Sequence, residues 1–346
     1  MHEAISLLGF YLGKFGFTRF ILKSLYSYQD KSLEIEVFGI KFKNPIGIGG
    51  GFDKNARLIQ TLPHVGFGFS EIGTITARPY KGNPRPWNVR LKKDSSLIVN
   101  YGLKNEGVDA LRKRIKEQKK SIPLVINIGK TNDIRIKGSA SIEDYNKSFK
   151  KLQPLADIVN LNISCPNTGD GVLFCQSPKL LSLLLKKVAE NKIYKSIVLK
   201  LKPDISDEIL DDIIEIALKS KIVKGFIVSN LTSNRSLLKV TKPKDVEQFS
   251  GGISGKPLKE LSNKMIKKVY RKTKGKYPII GLGGIFTAED AYEKICLGAS
   301  LVELVTGLIY EGPSVVKKIN KGLVYLLKKD GFSNISEAVG SKNSIN

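Results

Sequence analysis

At 346 residues, with 41% hydrophobic and 26% charged side chains, the sequence has a globular composition and is long enough for two average domains or one large α/β barrel. Lys and Arg number 57 against 32 Asp and Glu, and the resulting net charge of +25 is spread along the chain, which reads as a lysine-rich background; nucleic acid and an anionic membrane are the other readings. Cys165, Cys175 and Cys296 have no metal-ligand spacing and form no even disulfide set, so structural zinc, any other metal and a disulfide framework are not expected, and a reducing cytosol is.

Residues 1–31 form the first unit. No basic segment leads into an apolar stretch, and no run of 18 uninterrupted apolar residues occurs anywhere, so the chain is expected to be neither exported nor membrane-spanning. Ile5, Leu8, Leu12 and Phe15, then Phe17, Phe20, Ile21 and Leu25, repeat at helical spacing with Lys14, Arg19 and Lys23 among them. Gly13 and Gly16 are expected to split this stretch into two short helices. Such a basic amphipathic pair within residues 2–28 suits either peripheral contact with the cytoplasmic face of a membrane or a helical cap on the main domain. Glu34 to Phe42 reads as a small hairpin turning at Gly39, placed to plug a barrel bottom.

Between residues 32 and 332, apolar runs alternate with amphipathic segments. Strands are predicted at 46–49, 68–72, 123–128, 157–162, 196–201, 225–229, 278–282 and 300–304, and helices near 54–63, 105–119, 142–153, 178–191, 206–220, 257–273, 287–297 and 312–329. Eight strand-helix units predict an α/β fold closed as a (β/α)8 TIM barrel, with an open doubly wound sheet as the competing topology. Residues 79–104, rich in Pro and Arg, form an insertion of the kind that shapes active sites. No linker divides the barrel, and residues 333–346 form a polar tail expected to fray.

Barrel enzymes place working side chains at the C-terminal ends of their strands, and the polar residues fall there. The ends carry Gly49 to Lys54, Gly73-Thr74, Asn127, Asn162, Lys200, Ser229-Asn230, Gly283-Gly284 and Thr306. In Asn162-Ile163-Ser164-Cys165-Pro166-Asn167, a thiol lies between two carboxamides that can grip a planar ring bearing amides and a carboxylate. A thiol, with an unperturbed pKa of roughly 8.5, can act as a general base. The bland alternative is a small buried cysteine. The glycines after the seventh and eighth strands suit a phosphoryl group. With Lys200 and Asn127 in the mouth, they fit a flavin mononucleotide, with Lys200 stabilising negative charge on its reduced ring; a salt-bridged structural Lys is the alternative.

Seven strings, GFDKN (51–55), GFGFSEIGTIT (66–76), GNPRPWNVRL (82–91), INIGK (126–130), NISCPNT (162–168), SGGISGKPL (250–258) and GLGGI (281–285), make residues 33–332 similar to the dihydroorotate dehydrogenase family. The spacing resembles the membrane-associated, quinone-using class. The resemblance implies oxidation of dihydroorotate to orotate in pyrimidine biosynthesis, with Cys165 removing a proton from ring carbon 5 while hydride leaves carbon 6 for the flavin. It implies substrate contacts from Lys54, Asn100, Tyr101, Gly102, Leu103, Asn162, Asn167 and Asn230. It implies FMN contacts from Gly50, Gly51, Lys54, Thr74, Asn127, Asn162, Lys200, Ser229, Gly255, Gly283, Gly284, Val305 and Thr306. Arg90 matches a residue lining the quinone tunnel.

Three features depart from that class: Cys165 stands where Ser is usual, Val305 where Tyr is usual, and the N-terminal extension is short. A thiol base belongs to the soluble classes. Quinone is nevertheless the expected acceptor, with fumarate or another soluble acceptor second and partner-dependent NAD reduction third. The rival readings are a flavin-dependent RNA dihydrouridine reductase and a non-enzymatic nucleic-acid binding protein. Asn100, Asn167 and Asn230, which suit a small acid, and the lack of an evident RNA module argue against the first, and charge is the only support for the second, so no nucleic acid is expected as a partner. The expected location is cytoplasmic, peripheral on the cytoplasmic membrane face.

Overall fold

The computed structural model describes residues 2–165 and 174–343. Two helices, α1 (His2–Lys14) and α2 (Gly16–Tyr26), precede a hairpin of β1 (Ile35–Val37) and β2 (Ile40–Phe42). The barrel begins with β3 (Ile46–Asp53) and β4 (Phe69–Ile75). The insertion contributes β5 (Asn88–Leu91) and β6 (Ser96–Val99), followed by α3 (Val108–Lys116). Regular alternation then runs β7 (Leu124–Ile128), α4 (Ser139–Leu152), β8 (Ile158–Asn162), α5 (Pro178–Ala189), β9 (Ser196–Leu201), α6 (Asp207–Ser220) and β10 (Val223–Val228). After β11 (Gly252–Gly255) come α7 (Lys259–Lys272), β12 (Ile279–Leu282), α8 (Ala288–Cys296), β13 (Ala299–Leu304), α9 (Thr306–Glu311) and α10 (Val315–Lys329).

Strands β3, β4, β7, β8, β9, β10, β12 and β13 pair in parallel and in chain order, and β13 closes on β3 through Val302 opposite Ile46 and Leu304 opposite Ile48. This is the (β/α)8 barrel that the alternation predicts, not an open sheet. Its strands are nearly continuous apolar runs because helices cover the outside and packed side chains fill the inside. Phe69 shows how tightly. A Cβ on the neighbouring Gly47 would lie 2.3 Å from its ring, and Phe42 of the hairpin meets the same ring edge-on at a centroid distance of 5.5 Å.

A three-stranded antiparallel sheet, β11-β6-β5, stands beside the barrel mouth. It has its own apolar cluster of Leu91, Ile98, Leu238, Val246 and Ile253. Asp94 ties the distant loop at residues 239–241 to it, its carboxylate accepting the backbone N–H groups of Lys239, Val240 and Thr241 at 2.9 Å each.

Three expectations are corrected. The predicted helix at 54–63 is absent: the Asp53 carboxylate accepts the N–H groups of Arg57 and Leu58 at 2.8 Å, competing with helical bonds, and only a short 3-10 turn, Leu62–Val65, follows around Pro63. Gly13 does not break the N-terminal stretch but lies within α1, where a Cβ would strike Thr61; the chain turns at Phe15, and the two helices meet at 112°. The tail does not fray over residues 332–343. Ile335 is fully buried, its N–H bonds to Ser32 at 2.8 Å, and Asn343 is locked to Arg271, Lys267 and Leu297.

Phe69→Ala opens a cavity at the hairpin end of the barrel and should cost about 3–5 kcal/mol. Urea unfolding followed by circular dichroism checks this; a loss under about 1 kcal/mol would show that Phe69 does not hold that end together.

Candidate active site at the barrel mouth

Inside the barrel, Glu71 of β4 meets Lys200 of β9. Lys200 Nζ donates to Glu71 Oε2 at 2.9 Å, with side-chain exposures of 4% and 0%. Glu71 also accepts the Gly50 N–H at 2.6 Å, Asn127 Nδ2 at 2.6 Å and Asn160 Nδ2. Burial alone would push its carboxyl up. The Lys200 ammonium, with its own hydrogen bond and that of the Gly50 N–H, overcomes that and holds it below the ordinary carboxylate range. Among the described residues, Asn127 Oδ1, Asn160 Oδ1 and Ser229 Oγ are buried without a partner, although buried polar atoms are normally satisfied.

Toward the rim, Asn162 Nδ2 donates to Thr74 Oγ1 at 2.9 Å, and Asn230 Nδ2 donates to Asn162 Oδ1 and Ser164 Oγ at 3.2 Å each. Ser164 in turn donates to the Lys200 carbonyl at 2.6 Å, and Tyr145 donates to that of Asn162. This anchors the backbone on both sides of Ile163 and delivers Cys165, half-buried, at the end of β8.

The insertion supplies the other wall. Asn83 Nδ2 donates to Asn100 Oδ1 at 2.7 Å, while Asn83 Oδ1 accepts from Tyr80 at 2.8 Å and Asn132 at 3.1 Å. Asn132 also bonds the Gly102 carbonyl, and Gly102 and Leu103 take the left-handed conformation that turns the loop. Lys54 Nζ lies 3.9 Å from the centre of the Tyr101 ring. Burial pushes the Lys54 ammonium down to about 7, with Asp53 opposing and Lys104 adding to the fall.

Near the start of α9, Ser254 and Thr306 share a hydrogen bond of 2.8 Å across Gly255, where a Cβ would lie 2.4 Å from the Ser95 carbonyl oxygen. Gly283 and Gly284 have positive φ and pack against Leu258 and Lys259. Val305 begins α9 and packs against Gly49. Gly51, with φ +92°, differs: a Cβ there would meet nothing within 4 Å, so this strand end faces open space. Asn167 lies outside the described residues. Arg90 stands apart from the interior network, exposed, donating to the Ile309 carbonyl at 3.0 Å and stacked on Tyr310 at 4.7 Å.

A sequence model of the family described as dihydroorotate dehydrogenase matches residues 32–327. The chain belongs to the dihydroorotate dehydrogenase family. It is 40% identical to dihydroorotate dehydrogenase (quinone) of Trichodesmium erythraeum over 335 residues, covering 94% of this chain and 87% of that one. It is 44% identical to the protein of the same name from Christiangramia forsetii over 306 residues, or 88% of each. Among solved structures, ligand-free DHODH from Eimeria tenella superposes with a TM-score of 0.84 at 31% identity, covering 94% of this chain and 97% of that one. The same enzyme in complex with ferulenol gives 0.81 at 29%, covering 94% of each. The family is flavin-dependent.

Sequence reasoning missed Glu71, Asn160, Asn83 and Asn132. A charged residue inside an otherwise apolar run, as in Phe69-Ser70-Glu71-Ile72, was the available signal for the first. Lys54 should titrate near pH 7, well below its solvated neighbours. Carbon-13 NMR of reductively methylated protein checks this: a shifted resonance lost in Lys54→Met is expected, and an ordinary lysine titration for every resonance would contradict the burial described.

Proposed function

We propose that this protein oxidises dihydroorotate to orotate in pyrimidine biosynthesis with bound FMN and passes the electrons to a quinone. One observation carries the reading: Lys200, Asn127, Asn162, Ser229, Asn230 and Cys165 converge on the strand ends of a barrel matching the family over residues 32–327. The quinone follows the names of the relatives.

The residues fit FMN. The unpartnered Asn127 Oδ1 and Ser229 Oγ and the open space at Gly51 suit the ring system, and the turns at Gly255, Gly283-Gly284 and Thr306 suit the phosphate. Gly50, Thr74, Asn162 and Val305 complete that set, with Lys54 shared by cofactor and substrate. When bound, FMN supplies a two-electron hydride acceptor.

Asn100, Asn162 and Asn230, with Asn167, are assigned to hold the amide and carbonyl groups of the substrate, and Tyr101, Gly102 and Leu103 to close over it. Lys54 gives its carboxylate a countercharge that is fully present below pH about 7. Cys165 takes the proton from ring carbon 5 as hydride leaves carbon 6. Lys200, fixed by Glu71, places positive charge where negative charge develops.

Cys165→Ala should retain orotate binding and lose flavin reduction by at least about a hundredfold, consistent with the weight of a general base. Cys165→Ser should be slower and shift its rate profile to higher pH, because a hydroxyl ionises less readily than a thiol. Stopped-flow reduction measures both, and near-normal reduction in the Ala variant would remove Cys165 from the reaction. The acceptor is decided by supplying a short-chain quinone, fumarate and NAD in parallel. Turnover with quinone supports the proposal; turnover with fumarate alone, the outcome that a thiol base favours, overturns it.

Membrane contact and a location on the cytoplasmic face belong to the same proposal. No single helix among the described residues is long and apolar enough to cross a membrane. Among the described residues, nine of the fifteen exposed large hydrophobic residues nevertheless lie between Ile5 and Leu25, including Phe17 at 74% and Phe20 at 70% exposure. The helices also rest on the barrel: Thr61 donates to the Gly9 carbonyl at 2.6 Å, and Lys317 to that of Leu25 at 2.8 Å. They thus combine the cap and the amphipathic surface. Phe17→Glu with Phe20→Glu should cut binding to anionic phospholipid vesicles about tenfold or more and leave flavin reduction unchanged; unaltered sedimentation with vesicles would limit the helices to capping.

A further inference from the structure

Glu303 of β13 is a second carboxyl in the barrel interior, fully buried beside Glu71, whose charge acts on it. Both occupy room left by consecutive glycines of β3. Glu303 Oε2 lies 3.4 Å from where a Cβ of Gly49 would stand, and Glu71 Cδ lies 2.8 Å from where one of Gly50 would. The pair of glycines therefore makes space for a pair of carboxyls.

Their surroundings differ. Glu71 accepts from Lys200, Gly50, Asn127 and Asn160, whereas neither oxygen of Glu303 has a donor among the described residues. Two ionised carboxylates are both acceptors and repel, so their contact requires a proton between them. Four donors fix the negative charge on Glu71, and the proton falls to Glu303. We infer that Glu303 is a positioning residue that keeps its proton and donates a hydrogen bond through it to Glu71, leaving one anion and one cation, Glu71 and Lys200, beside the flavin position.

The environment supports this assignment. Burial first, then the charge of Glu71, pushes the Glu303 carboxyl well above the ordinary range, with Lys200 opposing. The charged groups facing it are Glu71 from β4 and Lys200 from β9. β12, its neighbour on one side, carries no charged residue. On the other, the one charge of β3, Asp53, is turned to the N–H groups of Arg57 and Leu58. Were Glu303 ionised, a second anion would sit beside Lys200 and oppose the negative charge that flavin reduction brings. A protonated Glu303 leaves the Lys200 field intact.

The role toward the flavin rests on the FMN reading above, so two independent measurements are needed. Infrared spectroscopy of the purified full-length holoenzyme at pH 8 should show the carbonyl stretch of a buried protonated carboxylic acid, absent from Glu303→Gln. Lack of that band in the wild type overturns the inference, whether or not flavin is bound. Redox titration should give the same flavin midpoint potential for wild type and Glu303→Gln, whose amide N–H replaces the donor, and a shifted one for Glu303→Leu, which has none. A clear rise in Glu303→Gln would mean that a negative charge had been removed, and a wild-type potential in Glu303→Leu would mean that the donated hydrogen bond does nothing; either overturns the role. A protein that binds no flavin fails the FMN reading alone, since the infrared band still decides the proton.

Discussion

The buried contact between Glu71 and Lys200 is the interaction on which the working end of the barrel depends. An ion pair removed from water loses hydration that mutual attraction restores only when the remaining lone pairs are satisfied. Here the backbone of β3 and carboxamides from β7 and β8 satisfy them. The pair thereby ties together five of the eight strands, β3, β4, β7, β8 and β9, at the level where Asn127 and Asn160 keep unpartnered oxygens. Removing one partner of such a pair typically costs about 3–5 kcal/mol, because the other is left charged and buried. Stability and chemistry thus draw on the same group: the lysine that balances Glu71 is the one assigned to the flavin.

Glu303 extends that arrangement. A third ionisable group in the same interior makes sense only if it is uncharged, and the glycines of β3 give it space without giving it a donor. The run Gly49-Gly50-Gly51 then divides its work. Gly49 and Gly50 make room for carboxyls, and Gly51 faces open space.

The eight barrel strands were legible because parallel strands covered on both faces read as continuous apolar runs. The helix expected at 54–63 was not there, because its composition hides the competition from the Asp53 carboxylate and the missing donor at Pro63. The polar tail looked disposable by composition, yet Ile335, Ala338 and Asn343 are its buried contacts. The sheet beside the mouth was invisible because β11 joins β5 and β6 from more than 150 residues away. Rim residues such as Asn162, Lys200 and Asn230 were readable from their places at strand ends. Glu71 and Glu303 were not, since alternation along a strand does not say that two acidic residues on separate strands meet inside.

The barrel mouth is proposed to bind FMN and use it to oxidise dihydroorotate. The most direct test is to add dihydroorotate anaerobically, without any other acceptor, to the purified protein and to follow flavin absorbance and orotate together. A yellow protein is expected, whose flavin band bleaches as one orotate forms per flavin. A flavin that stays oxidised with saturating dihydroorotate, or a protein without flavin, would contradict the proposal.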